Sequence, residues 1–207
     1  MIYTRIKICG LTNLRDADLA VSLGADALGF IFCKSPRQVS IPQVHEILGR
    51  IPPFVNKVAV VRDFTEEQIR EILSELPIDT IQFHGSESED FCLQFKGYNL
   101  IKVISIRSEE SLEELNNYPE INHFLLDTYT KGGGGSGRTF NWKLAKKAQK
   151  LGHIILAGGL NYENVSQAIV AGEPYGVDVS SGVESEPGIK DPDRLERFFQ
   201  QVRQGEL

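Results

Sequence analysis

A short apolar run, a turn and an amphipathic stretch form a unit that recurs eight times along the chain, and no other feature constrains the fold as tightly. The runs are RIKIC (5–9), DALGFIF (26–32), NKVAVV (56–61), DTIQF (79–83), LIKVIS (100–105), NHFLLD (122–127), HIILA (153–157) and YGVDVS (175–180). Most are apolar on both parities, as expected of parallel strands covered on two faces rather than one. The stretches after them, 13–24, 41–51, 65–76, 86–95, 108–117, 142–152, 161–172 and 191–204, read as helices. In the first, Leu14, Ala17, Ala20 and Val21 share one stripe and Gly24 marks the stop. Thr65 with Gln68, and Ser86 with Glu89, fit the capping-box pattern. Strictly alternating βα units imply a parallel sheet, and eight of them predict a closed (β/α)8 TIM barrel. No linker or low-complexity tract interrupts the pattern, so residues 1–207 read as a single compact domain. An open doubly wound sheet is the rival architecture.

Composition narrows the partners. The chain is 41% hydrophobic and 24% charged, ordinary for a soluble globular protein, and its net charge is −6. Nucleic-acid binding needs a basic surface, which this balance does not offer. No apolar run approaches the roughly 18 residues of a membrane-spanning helix. The three cysteines, Cys9, Cys33 and Cys92, include no C-x-x-C pair, which argues against a disulfide framework or a structural zinc site and for a reducing, cytoplasmic setting. No secretory signal pattern opens the sequence.

In a (β/α)8 barrel the chemistry sits in the loops after the strands, and there the reactive residues gather. Two glycines, Gly158 and Gly159, precede the seventh helix; Ser180, Ser181 and Gly182 follow the eighth strand; KGGGGSGRTF follows the sixth. Glycine lets backbone approach a ligand closely, and free N–H groups at a helix start attract anions. Loops after strands seven and eight are the usual phosphate site of this architecture, so a small phosphorylated substrate is expected. Asp127 ends an apolar strand, where low dielectric raises a carboxyl pKa and suits it to proton donation; its other reading is a loop cap. Cys9 ends the first strand, where a nearby cation or helix terminus would favour the thiolate as base or nucleophile; simple packing is the bland alternative. Cys33 is also at a strand end, while Cys92 lies beside Phe91 and Phe95 and reads as packing. Arg37, on the loop after the second strand, suits bidentate recognition of a carboxylate, or it is a solvated surface residue. His84 either polarises a substrate or bonds locally. Lys7 reads as an ion-pair partner for Asp178, and Lys57 and Lys102 as barrel-interior charge pairs rather than Schiff-base lysines.

Taken in order, KICGLTN, QFHG, LLDT, GGSGRTFNW, AGGLNYENV and VDVSSGVES-EPGIKD resemble the phosphoribosylanthranilate isomerase family, over nearly the whole chain. The resemblance implies a (β/α)8 barrel that catalyses, without cofactor or metal, the Amadori rearrangement of N-(5-phosphoribosyl)anthranilate in tryptophan biosynthesis. It further implies Cys9 as general base, Asp127 as general acid and Arg37 on the anthranilate carboxylate. Asp178 falls on the substrate side, and the phosphate is held by Gly134, Gly135, Ser136, Gly137, Gly158, Gly159, Ser180, Ser181 and Gly182. Family members occur as monomers and dimers; a monomer is the default expectation, with a homodimer as the alternative. Arg138 and Asn141 stand where lysine and aspartate are more usual, and neither departure touches the acid or the base. The competing functions are a Schiff-base aldolase using Lys102 or Lys57 and a non-catalytic phosphate-ligand sensor.

Overall fold

The computed structural model describes residues 3–128 and 139–206. Eight parallel strands close into a barrel in chain order: β1 (Arg5–Cys9), β2 (Ala27–Ile31), β3 (Asn56–Val61), β4 (Thr80–Phe83), β5 (Asn99–Ile106), β6 (His123–Thr128), β7 (His153–Leu156) and β8 (Gly176–Val179). The seam between first and last strands pairs Lys7 with Asp178 and ends at Ile8 with Val179. The helices are α1 (Leu14–Ser22), α2 (Ile41–Leu48), α3 (Glu66–Glu75), α4 (Glu89–Leu93), α5 (Lys143–Ala148), α6 (Val165–Gly172) and α7 (Pro192–Gly205). Among the described residues, no helix is long and apolar enough to cross a membrane.

Strand parity divides the interior. Ile6, Ile8, Leu28, Phe30, Val61 and Ile104 join Ala17, Ala20 and Phe198 in the large core between strands and helices. The alternate positions face inward, where Ile101, Val103, Leu125, Ile155 and Ala157 form one small cluster and Cys9, Val58 and Val60 another. Burying a large aliphatic or aromatic side chain contributes roughly 1.5–3 kcal/mol, so the outer layer carries most of the stability. Helix starts are fixed locally. The Asn13 side chain accepts from Asp16 N–H, Thr65 and Gln68 form the expected reciprocal box, and Asp191 accepts from Arg194 N–H ahead of Pro192.

Four expectations are corrected. The stretch 108–117 is a 3₁₀ helix, Glu109–Asn117. An α-helix would set Glu109 over Glu113 and Glu110 over Glu114, like-charge pairs that oppose it. The helix expected to start at Ser86 is instead capped by Ser88. The preceding residues are claimed by tertiary bonds: Ser86 N–H donates to Asp63 Oδ1, and the Glu87 carboxylate receives Asp63 N–H, Gly85 N–H and Lys102 Nζ. Lys102 and Lys57 are charge-paired, but not inside the barrel. They share parity with the outer-core residues; Lys102 bonds Glu87 at 2.9 Å and Lys57 bonds Asp79 at 2.9 Å near the amino end of β3. Finally, β8 is followed by a 3₁₀ turn, Ser181–Val183, and by an unanticipated hairpin of β9 (Glu184–Glu186) and β10 (Ile189–Lys190).

Candidate active site

A cavity of about 320 Å³ opens at the carboxyl ends of the strands, and Cys9, Arg37, Asp127, Gly158, Gly159, Asp178, Ser180, Ser181 and Gly182 all line it. Cys33, Arg62, Gln82 and His84 complete much of the wall. The expected phosphate ligands Gly134, Gly135, Ser136 and Gly137 lie outside the described residues.

Cys9 and Lys7 point inward from β1, one layer apart. The Lys7 ammonium bonds Asp178 Oδ1 at 2.7 Å across the barrel seam. Burial alone would lower the Lys7 pKa, but Asp178 and the Cys9 thiol outweigh it and raise it. Both groups need the absence of a side chain opposite. A Cβ on Gly29 of β2 would stand 2.9 Å from Cys9 Sγ and 3.0 Å from Lys7 Nζ. The thiol is therefore enclosed, and burial pushes its pKa up against the pull of Lys7 and Lys190. The sequence makes the thiolate conditional on a nearby cation or helix terminus and leaves the direction of the shift open. The cations are present, but desolvation exceeds them.

Asp127 sits across the mouth on β6. Burial and the Asp178 charge push its carboxyl up to about 6, against a bond from Thr128 N–H and the pull of Lys7. Gly158 is indispensable here: its φ is +78°, and a Cβ would lie 2.4 Å from Thr128 N and 2.7 Å from Asp127 Oδ1. His84 Nε2 stands 3.6 Å from Asp127 Oδ2, beyond a normal hydrogen bond. Burial and Arg62 lower the His84 pKa to about 4, so at neutral pH it is an uncharged neighbour of the Asp127 carboxyl and not its ion-pair partner.

Arg37 is no solvated arginine. Its Nε and Nη2 clasp the Glu184 carboxylate at 2.8 and 2.6 Å. Glu184 in turn receives Lys190 Nζ at 2.8 Å. On the far wall, Gly158 and Gly159 both have positive φ, but α6 begins only at Val165, so those glycines do not abut a helix terminus as expected. The anion-binding capacity there rests on loop backbone, which is packed tightly enough that a Cβ on Gly182 would overlap Leu160 O at 1.9 Å. Two oxygens lining the cavity, Gln82 Oε1 on β4 and Ser180 Oγ after β8, are buried with no hydrogen-bond partner among the described residues. Such atoms cost about 1–3 kcal/mol each unless a ligand or water meets them.

The comparisons with known proteins fit this geometry. The family model described as N-(5'phosphoribosyl)anthranilate (PRA) isomerase matches residues 6–201. The chain belongs to that family. A phosphoribosylanthranilate isomerase of Geotalea uraniireducens is 43% identical over 202 residues, covering 97% of this chain and 98% of its own. One from Pseudomonas putida is 44% identical over 209 residues, covering 99% and 100%. Among solved structures, the Thermotoga maritima isomerase superposes with a TM-score of 0.92 at 40% identity, covering 97% of this chain and 99% of that one. A phosphoribosylanthranilate isomerase in complex with reduced 1-(o-carboxyphenylamino)-1-deoxyribulose 5-phosphate gives 0.88 at 37%, with the same coverages.

Within this isomerase-family barrel, sequence reasoning assigned no role to Gly29, Gln82, Glu184 or Lys190. Gln82 is a polar residue in an otherwise apolar strand, which DTIQF does show, but nothing in VESEPGIKD marks Glu184 as buried beside the exposed Ser185, Glu186 and Pro187. The Arg37 partner of Glu184 lies 147 residues away.

Proposed function

We propose that this barrel converts N-(5-phosphoribosyl)anthranilate to 1-(2-carboxyphenylamino)-1-deoxyribulose 5-phosphate, as a step of tryptophan biosynthesis, with Asp127 as general acid and Cys9 as general base. One observation carries the reading: a carboxyl with a pKa near 6 and an enclosed thiol line the same cavity from different walls. Asp127 gives its proton to the furanose oxygen as the C1′–O bond breaks, and the substrate's nitrogen lone pair forms the C1′ iminium. That cation acidifies the C2′ proton, which the Cys9 thiolate removes, and the electron pair forms the enolamine. Proton return at C1′ and loss of the C2′ hydroxyl proton give the ketone and leave the enzyme as it began. The electron sink is the substrate's own nitrogen, so the chemistry requires no cofactor, metal or enzyme lysine.

The free-enzyme protonation states run opposite to this need, since the thiol lies high and the carboxyl low. The thiol proton passes through solvent to the Asp127 carboxylate as substrate binds, with no change in total protonation, and the iminium that develops beside Cys9 then holds the thiolate. The substrate's phosphate and carboxylate raise Asp127 further. Arg37 receives the anthranilate carboxylate, and the Gly158, Gly159 and Ser180-Ser181-Gly182 backbone receives the phosphate. Holding both ends contributes to rate through orientation. Asp178, fixed by Lys7, faces the ribose hydroxyls. The aldolase alternative loses its nucleophile, because neither Lys57 nor Lys102 lines the cavity. The test is direct: phosphoribosylanthranilate is generated in situ and loss of anthranilate fluorescence is followed. Rapid enzyme-dependent loss is expected. No turnover would overturn the reading, and ligand binding without turnover would leave a sensor.

A further inference from the structure

Lys190 is 2% exposed, at the end of the short hairpin after β8. Its ammonium has three N–H bonds and three acceptors: Cys9 O at 2.7 Å, Glu184 Oε1 at 2.8 Å and Ser180 O at 3.3 Å. The two carbonyls belong to the residues one step beyond the last pair of the β1–β8 seam, Ile8 with Val179. The ammonium thus takes the place of the next rung where the strands part to open the mouth. The hairpin itself is clamped to the start of α1 and the loop before it, with Lys190 N–H on Asp16 Oδ2 at 2.7 Å and Thr12 Oγ1 donating to Gly188 O at 2.6 Å.

Glu184 continues the chain of contacts. It is 5% exposed and joins Lys190 to the Nε and Nη2 edge of Arg37. Nη1 and the second hydrogen of Nη2 remain for a ligand. Arg37 and Glu184 alone would form a neutral pair with little attraction for an incoming carboxylate. Lys190 restores one net positive charge to the trio.

We infer that Lys190 and Glu184 are the positioning residues of this reaction: the ammonium fixes the backbone that carries the Cys9 thiol, and the charge-balanced carboxylate holds Arg37 side-on for an aromatic carboxylate. The inference rests on the isomerase reading for its kinetic consequences. Two of its readouts, anthranilate binding and Cys9 reactivity, do not depend on turnover. The charged groups facing the thiol are Lys7, Asp178, Lys190 and, more distantly, Arg37.

The experiment compares Lys190→Met, Glu184→Gln and the double variant with wild type. It measures kcat and KM, anthranilate binding by fluorescence, and the pH dependence of Cys9 alkylation resolved from Cys33 and Cys92 by mass spectrometry. Lys190→Met should raise KM and the anthranilate Kd about tenfold or more, lower kcat, and move the Cys9 alkylation midpoint up. Glu184→Gln should move that midpoint down, because two cations then stand unopposed. The double variant keeps the net charge of wild type but not the geometry; it should recover the midpoint while kcat stays low. If all three variants keep wild-type KM and an unmoved midpoint, with only thermal stability changed, the hairpin is a structural clamp and the inference fails. If Lys190→Met does not fold, the opposite-sign shift in Glu184→Gln decides the matter. Wild-type inactivity with the midpoint shifts intact would overturn the isomerase reading and leave the positioning device standing.

Discussion

The barrel has two mouths of nearly equal capacity, about 340 Å³ at the amino ends of the strands and about 320 Å³ at the carboxyl ends, and size does not tell them apart. Their chemistry does. At the amino end the charges are mutually satisfied. Asp26 takes Arg5 Nη1 at 2.9 Å and Ile6 N–H at 2.8 Å, and Asp79 takes Lys57 Nζ and Lys57 N–H, both at 2.9 Å. The device is the same twice over: an aspartate just before an even-numbered strand latches the start of the strand before it. Thr80 bonds Asn56 between them at 2.8 Å. At the carboxyl end the groups are held in states that cost stability. A carboxyl is pushed up to about 6, an imidazole down to about 4, and a serine and a glutamine oxygen go unpaired. One mouth closes the fold, and the other keeps unspent interactions for a ligand.

The sharpest way to break this contrast is to remove the proposed acid or the proposed base. Asp127→Asn and Cys9→Ser should each lower kcat by about 10²–10⁴-fold, the usual range for a lost general acid or base. Binding of a reduced product analogue should survive in both. Near-normal kcat in Cys9→Ser would move the base elsewhere, with Cys33 next in line on the same wall.

The same acid substitution should leave a mark on stability. The folded-state pKa of Asp127, near 6, lies above the unfolded value of about 3.9. Its ionisation therefore favours the unfolded chain: the stability linked to the protonated form is complete below about 4 and lost as pH rises through 6. Asp127→Asn should gain about 2–3 kcal/mol at pH 8 relative to its effect at pH 4. Denaturant titrations at the two pH values measure that difference, and equal effects at both would show that Asp127 is not held against its charge.

Much of this was legible beforehand, for a definable reason. Strand positions follow from runs of Ile, Val and Leu, and the mouth follows from strand direction, so Cys9, Asp127 and the residues after β8 could be placed at one end without coordinates. What escaped notice depends on pairing between distant segments. The burial of Lys102 on the outer face cannot be read from LIKVIS, where alternation leaves the inward parity undecided. The hairpin carrying Glu184 and Lys190 has strands of three and two residues, too short for any period to show. The direction of the Cys9 pKa shift was left open by the sequence, because proximity of cations follows from strand parity while desolvation depends on the Gly29 gap being filled.

A smaller effect should separate recognition from chemistry at the active mouth. Arg37→Ala removes the proposed partner of the substrate carboxylate but neither of the proposed proton-transfer groups. KM should rise about tenfold or more while kcat changes much less, since a lost charge-assisted bond is worth about 1.5–3 kcal/mol. An unchanged KM would return Arg37 to a purely structural role with Glu184.

The smallest effect is expected at the opposite mouth, and it tests the contrast from the other side. Lys57 lies near the amino end of β3 with its side chain 14% exposed, against an aspartate side chain that is 40% exposed. Solvent at the exposed aspartate screens the pair, which keeps its contribution near the surface range of about 0–1 kcal/mol. Lys57→Met should therefore lower stability by no more than about 1 kcal/mol. Its kcat and KM should match wild type, because no group of the carboxyl-end cavity touches it. The argument is geometric: Asp79 still accepts Lys57 N–H, so the latch on β3 survives the loss of the ammonium. Asp79→Ala, which removes both bonds, should cost more stability than Lys57→Met and still leave kcat unmoved. A fall in kcat in either variant would show that the two ends are mechanically coupled through β3 and β4.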